Sequence, residues 1–136
     1  MLNTVVGIFL VLHGLVHLLY FGLSRQLFSL EPPLVGWPER SWAFSSVLGD
    51  VNTRLLATVL YGVATILFVV GGVGVLARVS WWSPLVVIAA VFASAITVLF
   101  WDGQFQRLPD KGFVGVIINI AILVVVFLIE RGTIVL

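Results

Sequence analysis

Long apolar runs separated by shorter polar segments dominate the pattern of this chain. Four runs contain no Asp, Glu, Lys or Arg, and they cover about Leu2–Leu23, Leu55–Leu76, Trp81–Trp101 and Gly112–Ile129. A helix needs about 20 residues to cross the hydrocarbon core of a bilayer, and each run is close to that length. The runs also lack the strict alternation of barrel strands. The pattern therefore predicts an all-α, integral membrane, antiparallel four-helix bundle that forms one domain over 1–136.

The connections between these runs differ in length. The second and third runs are joined by 77–80 alone, which predicts a tight hairpin, whereas the first and second are separated by 24–54. A connection as long as the latter is often functional in a compact domain. Within it, Pro38 and Gly49 predict the start and the end of a short interfacial helix over about 38–48. This helix is expected to be an anchor in the membrane surface or a lid over the bundle.

Polar residues inside the runs recur at steps of three and four, so each run carries one polar stripe along a helical face. Such a stripe faces neighbouring helices rather than lipid. With a rise of about 1.5 Å per residue, polar groups from all four runs lie at a similar depth, in the half nearer the larger loops. We predict a ligand-binding pocket there. Its residues are His13, His17, Tyr20, Thr58, Tyr61, Ser94, Thr97 and Asn119.

Two charged residues flank this predicted pocket. Arg54 lies at a helix N-terminus and Asp102 at a helix C-terminus, and both positions are unfavourable for the helix dipole. We therefore predict an ion pair between them, with Arg107 and Lys111 as alternative partners of Asp102. The pair is expected either to pin the second helix to the third or to act as an electrostatic gate for an anionic head group.

Composition narrows the class of protein. The chain is 61% hydrophobic and only 10% charged, against roughly 25% charged residues in soluble domains, which predicts a multi-pass protein of the cell membrane. The absence of cysteine excludes thiolate metal ligands and disulfide chemistry.

The seven Lys and Arg residues are scattered, so no nucleic-acid partner is expected. They are more frequent in the larger loops, which the positive-inside rule places in the cytoplasm. The first run lacks the features of a signal peptide and is expected to be retained.

The only two histidines, His13 and His17, share one helical face. They are interpreted in three ways. As structural residues, they are neutral and hydrogen-bonded to neighbouring helices. As metal ligands they lack a third protein ligand in the runs, and two histidines of one helix cannot both ligate one haem within a chain, which leaves a haem between protomers. As part of a ligand site, they bind the oxygen of a quinone or a lipid head group. The common depth of the polar groups favours the third interpretation.

The segment 8–17, IFLVLHGLVH, resembles the first helix of DoxX-like small membrane proteins. In that family the first span also tends to carry an apolar run that ends in a His-Gly pair, which is His13-Gly14 here. The length of the chain and its four spans agree as well. The resemblance implies a four-helix bundle that is often an accessory or redox-linked subunit, with both termini in the cytoplasm. His17 and the long loop with Pro and Trp depart from the family pattern.

The sequence thus predicts a small membrane protein that binds a quinone or another amphipathic ligand as an accessory subunit of a membrane redox system. One alternative is a structural or assembly subunit without a ligand, and another is a metal-dependent membrane enzyme. Membrane lipid is the expected partner, with another membrane protein or a second copy of the chain as further candidates.

Overall fold

The computed structural model describes residues 1–29 and 40–135. Within these ranges the chain forms four α-helices and one short 3-10 helix, and no strand. The α-helices are α1 (Leu2–Ser24), α2 (Ser45–Leu76), α3 (Trp82–Leu99) and α4 (Phe113–Glu130), and the 3-10 helix covers Leu108–Lys111. All four α-helices are long and apolar enough to span a membrane. This confirms the prediction of an all-α protein with four helices that are able to span a membrane.

The second helix begins earlier than the apolar run does. It starts at Ser45 instead of Leu55, and Gly49 separates its first turn from the rest with a φ of 73° and a ψ of 163°. Glycine adopts this conformation without steric cost. The predicted interfacial helix over 38–48 is therefore wrong for 40–44, which are irregular at 40–41 and form a turn at 42–44, whereas 45–48 are helical. Residues 38 and 39 lie outside the described part of the chain.

Side-chain hydrogen bonds explain why 40–44 do not form a helix. The Ser41 hydroxyl donates to the Leu99 carbonyl at 2.6 Å and accepts the N–H groups of the residues two and three positions later. The indole Nε1 of Trp42 donates to the Val98 carbonyl at 2.7 Å. The last carbonyls of a helix have no partner within the helix. The segment therefore caps the C-terminal end of α3 and is held there.

The helices pack in chain order, with α1 against α2, α2 against α3 and α3 against α4. Glycines bring α1 and α2 close together. A Cβ built on Gly72 would lie 2.8 Å from the Gly7 carbonyl oxygen and 2.9 Å from the Val11 nitrogen, and a Cβ on Gly14 would lie 2.7 Å from the Phe68 Cβ. Small residues at such positions are the usual means by which membrane helices approach each other.

The fourth helix is the least buried. It contributes only Asn119, Ile122 and Val126 to the buried interior. At its C-terminal end, the Ser83 hydroxyl of α3 donates a hydrogen bond to the carboxylate of Glu130. Polar contacts therefore supplement a small apolar interface in fixing the position of α4.

Candidate functional site

A chain of hydrogen bonds joins three of the helices. His13 Nε2 of α1 lies 2.8 Å from Asn119 Oδ1 of α4, and Asn119 Nδ2 donates to Ser94 Oγ of α3 at 3.1 Å. Because the amide oxygen can only accept, His13 Nε2 carries the proton. Asn119 is 1% exposed, so this network lies in the interior of the protein. These are three of the residues that the polar stripes predict.

His17 continues this network along α1. Its Nδ1 lies 3.1 Å from the backbone carbonyl of His13. A carbonyl oxygen can only accept, so His17 is protonated on Nδ1. In the neutral rings, His17 Nε2 and His13 Nδ1 are then hydrogen-bond acceptors. The two histidines thus provide two acceptor nitrogens in a buried environment.

The ring of Phe68 packs against both histidines. Its centroid lies 4.8 Å from that of His13, nearly perpendicular to it, and 5.4 Å from that of His17, nearly parallel. Phe68 is fully buried, and it is not among the residues predicted for the pocket. The helical spacing could have identified it, because residue 68 lies on the same face of α2 as Thr65, three residues earlier, and Gly72, four residues later.

Two tyrosines extend the polar group toward the larger loops. Tyr20 lies with its ring centroid 6.3 Å from that of His17 and 5.3 Å from that of Tyr61. The Tyr61 hydroxyl in turn interacts with the side chain of Thr97. The contacts therefore connect every predicted ligand-binding residue except Thr58 into one contiguous group.

Thr58 lies apart from this group. It is buried, and its hydroxyl donates to the Arg54 carbonyl of its own helix at 2.8 Å. A bond to the carbonyl four residues earlier is common for threonine in a helix. Together with Arg54, Thr58 lines a separate cavity near the end of α1.

The predicted ion pair between Arg54 and Asp102 is wrong. Asp102 instead pairs with Lys111, with 2.8 Å between Nζ and Oδ2, and the side chains are only 3% and 1% exposed. Lys111 also donates to the Gln104 carbonyl at 3.1 Å. The 3-10 helix that precedes α4 turns Lys111 back toward the end of α3. Lys111 is one of the two alternative partners predicted for Asp102. The other, Arg107, forms an exposed ion pair with Asp110.

An apolar cleft of about 370 Å³ lies between α1 and α4. Its lining includes Phe9 and Leu10 of α1, Trp82 at the start of α3, and Ile118 and Ile122 of α4. The volume falls within the roughly 300–1,000 Å³ that is typical of ligand pockets. The cleft occupies the half of the helices farther from the larger loops, outside the half in which the sequence predicts the ligand-binding pocket.

Phe9, which lines the cleft, contacts the hydrogen-bonded histidine. The ring of Phe9 stacks on that of His13 with 6.0 Å between centroids, and Ile118 directly precedes Asn119 in the chain. Two residues that line the cleft are thus neighbours of His13 and Asn119, although neither of these polar residues lines the cleft itself. An apolar space whose wall adjoins buried polar groups suits an amphipathic molecule.

Neither a metal-ligand cluster within the described residues nor similarity to a known protein provides further information on the function. Among residues 1–29 and 40–135, no three His, Asp or Glu side chains are grouped so that they could hold a metal ion. No family model, curated protein or solved structure gives a significant match to this chain. The functional assignment therefore depends on the contacts within this protein.

Proposed function

We propose that this protein crosses the cell membrane as an antiparallel four-helix bundle and binds an amphipathic ligand of the quinone class between α1 and α4. The observation that supports this is the apolar cleft whose lining residues Phe9 and Ile118 adjoin the buried hydrogen bond between His13 and Asn119. A quinone combines an apolar ring and tail with carbonyl oxygens. It therefore needs an apolar cavity with a few hydrogen-bonding groups at one position.

The polar groups of the adjoining network match both redox forms of a quinone whose head group reaches past Phe9 and Ile118. Asn119 Nδ2 carries two hydrogens, and the bond to Ser94 uses one of them. We assign the other as a donor to a ligand carbonyl. The acceptor nitrogens, His13 Nδ1 and His17 Nε2, suit the hydroxyl groups of the reduced form. The site requires no additional charged residue for either form.

The surroundings of the cleft favour entry from the lipid phase. Val5 and Phe9, which line it, are 60% and 47% exposed. In a membrane, exposed apolar side chains on these helices contact lipid tails. A ligand dissolved in the bilayer can then enter from the side, with its isoprenoid tail left among the lipids.

The test is to quantify by mass spectrometry the quinone that co-purifies with the full chain. Ala121 lines the cleft, so Ala121→Phe fills the proposed site. Ile120 is 55% exposed and is not among the lining residues, so Ile120→Phe adds an aromatic ring elsewhere on α4 as a control. We expect the bound quinone per protein to fall several-fold in Ala121→Phe alone. Equal amounts in both variants and the wild type would contradict the proposal.

A structural role is the second candidate, because the chain from His13 through Asn119 to Ser94 is already formed without a ligand. On this alternative, the network only holds α4 in place, as expected for a structural or assembly subunit. His13→Ala would then lower stability, and no quinone would be found even with the wild type. The accessory role in a redox system, the DoxX-like relationship and the metal-dependent enzyme all stay predictions from the sequence.

A further inference from the structure

A second cavity, independent of the apolar cleft, lies where α1 ends and the long part of α2 begins. Its volume is about 210 Å³. The lining includes Ser24, Arg25 and Gln26 at the end of α1, and Arg54, Leu55 and Thr58 of α2. Unlike the apolar cleft, this cavity has two guanidinium groups and several hydrogen-bond donors around it.

Within the described residues, the hydroxyl of Ser24 has no hydrogen-bond partner. Ser24 is 4% exposed, and its Oγ is the one side-chain N or O atom in these ranges that has essentially no surface exposed to solvent and no hydrogen bond. Buried polar groups nearly always have a partner, and a helical serine commonly bonds to the carbonyl four residues earlier. A serine that lines a cavity and whose hydroxyl lacks that bond indicates a ligand that accepts a hydrogen bond from the hydroxyl.

Within the described residues, the two arginines also lack a counter-charge. Neither Arg25 nor Arg54 forms an ion pair in the described ranges, although Asp50 lies one turn before Arg54. Arg54 follows the break at Gly49 by about one turn, so the positive end of the helix dipole adds to its charge. An anion in the cavity would compensate both arginines.

We propose that this cavity binds a phosphate group, carried by a membrane lipid or by a soluble phosphate compound. Phosphate oxygens accept paired hydrogen bonds from guanidinium groups. We therefore assign Arg25 and Arg54 as the charged ligands of the phosphate and Ser24 Oγ as a third hydrogen-bond donor. Val51 and Leu55, which line the cavity, are 69% and 53% exposed, so the acyl chains of a bound lipid have apolar side chains to contact. Anionic lipids are attracted to basic residues at the cytoplasmic surface, where the charge pattern places this end of the protein.

The experiment is native mass spectrometry of the purified full chain in detergent, titrated with phosphatidylglycerol. Diacylglycerol with the same acyl chains provides the comparison without phosphate, and glycerol phosphate serves as a soluble competitor. The variants are Ser24→Ala, Arg25→Gln and Arg54→Gln. Arg78→Gln, in the turn between α2 and α3, is the control that removes one positive charge elsewhere.

We expect phosphatidylglycerol to bind more tightly than diacylglycerol, with a loss of about fivefold for each of the two arginine variants. Ser24→Ala should also weaken binding, and Arg78→Gln should not. Displacement by glycerol phosphate would identify soluble phosphate compounds as ligands of the same site, whereas no displacement would identify the lipid. Arg25 is exposed, so its replacement tests the site without loss of the fold. Equal binding of the two lipids, or wild-type binding in both arginine variants, would overturn the proposal.

Discussion

His13 of the first helix and Asn119 of the last are joined by a hydrogen bond of 2.8 Å between Nε2 and Oδ1. Since the helices otherwise pack in chain order, this bond connects the two ends of the series. It also adjoins the apolar cleft, because Phe9 lines that cleft and stacks on His13. The same pair of residues is therefore expected to affect both the stability of the protein and the binding of its ligand.

Replacing Asn119 by leucine should destabilise the protein by about 1–3 kcal/mol, because the buried N–H of His13 loses its acceptor. Asn52→Leu is the control, since Asn52 is exposed and bonds only to the Leu48 carbonyl of its own helix. Chemical unfolding in detergent, followed by circular dichroism, measures both free energies. Equal stability of Asn119→Leu and the wild type would show that the network does not hold α4.

The contact between α1 and α2 should be sensitive to a single methyl group. In Gly72→Ala the new Cβ would meet the backbone of α1 at 2.8 Å, and we expect a loss of about 1–3 kcal/mol from overpacking. The matched control is Gly115→Ala in α4, where nothing lies within 4 Å of the built Cβ. That substitution should be neutral or should stabilise by about 0.5–1 kcal/mol. Thermal unfolding of the two variants in the same detergent gives the comparison, and similar melting temperatures would contradict the close approach of the two helices.

The buried ion pair should contribute far more than the exposed one. Asp102→Asn leaves the charge of Lys111 buried without its counter-charge, which typically destabilises by about 3–5 kcal/mol. Asp110→Asn makes the same chemical change in the exposed pair with Arg107 and should cost at most about 1 kcal/mol. Chemical unfolding of both variants tests this difference. If the two losses were equal, Asp102 would not be paired in a buried environment.

The four helices could be predicted from the sequence because charged residues cannot lie among lipid tails. The charge-free runs therefore fix the helices to within a few residues, except that α2 extends back to Ser45. The polar stripes also identified most of the group around His13 and Asn119. Polar side chains on membrane helices must face one another, and only one face of each helix carries them.

Two other features could not be read from the sequence for physical reasons. The partner of Asp102 depends on the path of the chain through the 3-10 helix, and spacing alone does not distinguish Lys111 from Arg54. The apolar cleft could not be predicted from the sequence because the side chains that line it, such as Ile122, are of the same type as those that face lipid or fill the core. Its existence depends on the packing of α1 and α4, which no local pattern encodes.

The central claim is that a quinone occupies the cleft between α1 and α4, and Trp82 offers a direct reporter because its side chain lines that cleft. The measurement is a fluorescence titration of the purified protein with a short-chain quinone, in which bound quinone quenches nearby tryptophan. We predict saturable quenching for the wild type and for Ile120→Phe, a much smaller amplitude for Trp82→Phe, and no saturable phase for Ala121→Phe. Quenching that rises linearly with quinone, or that saturates equally in Ala121→Phe, would contradict the claim.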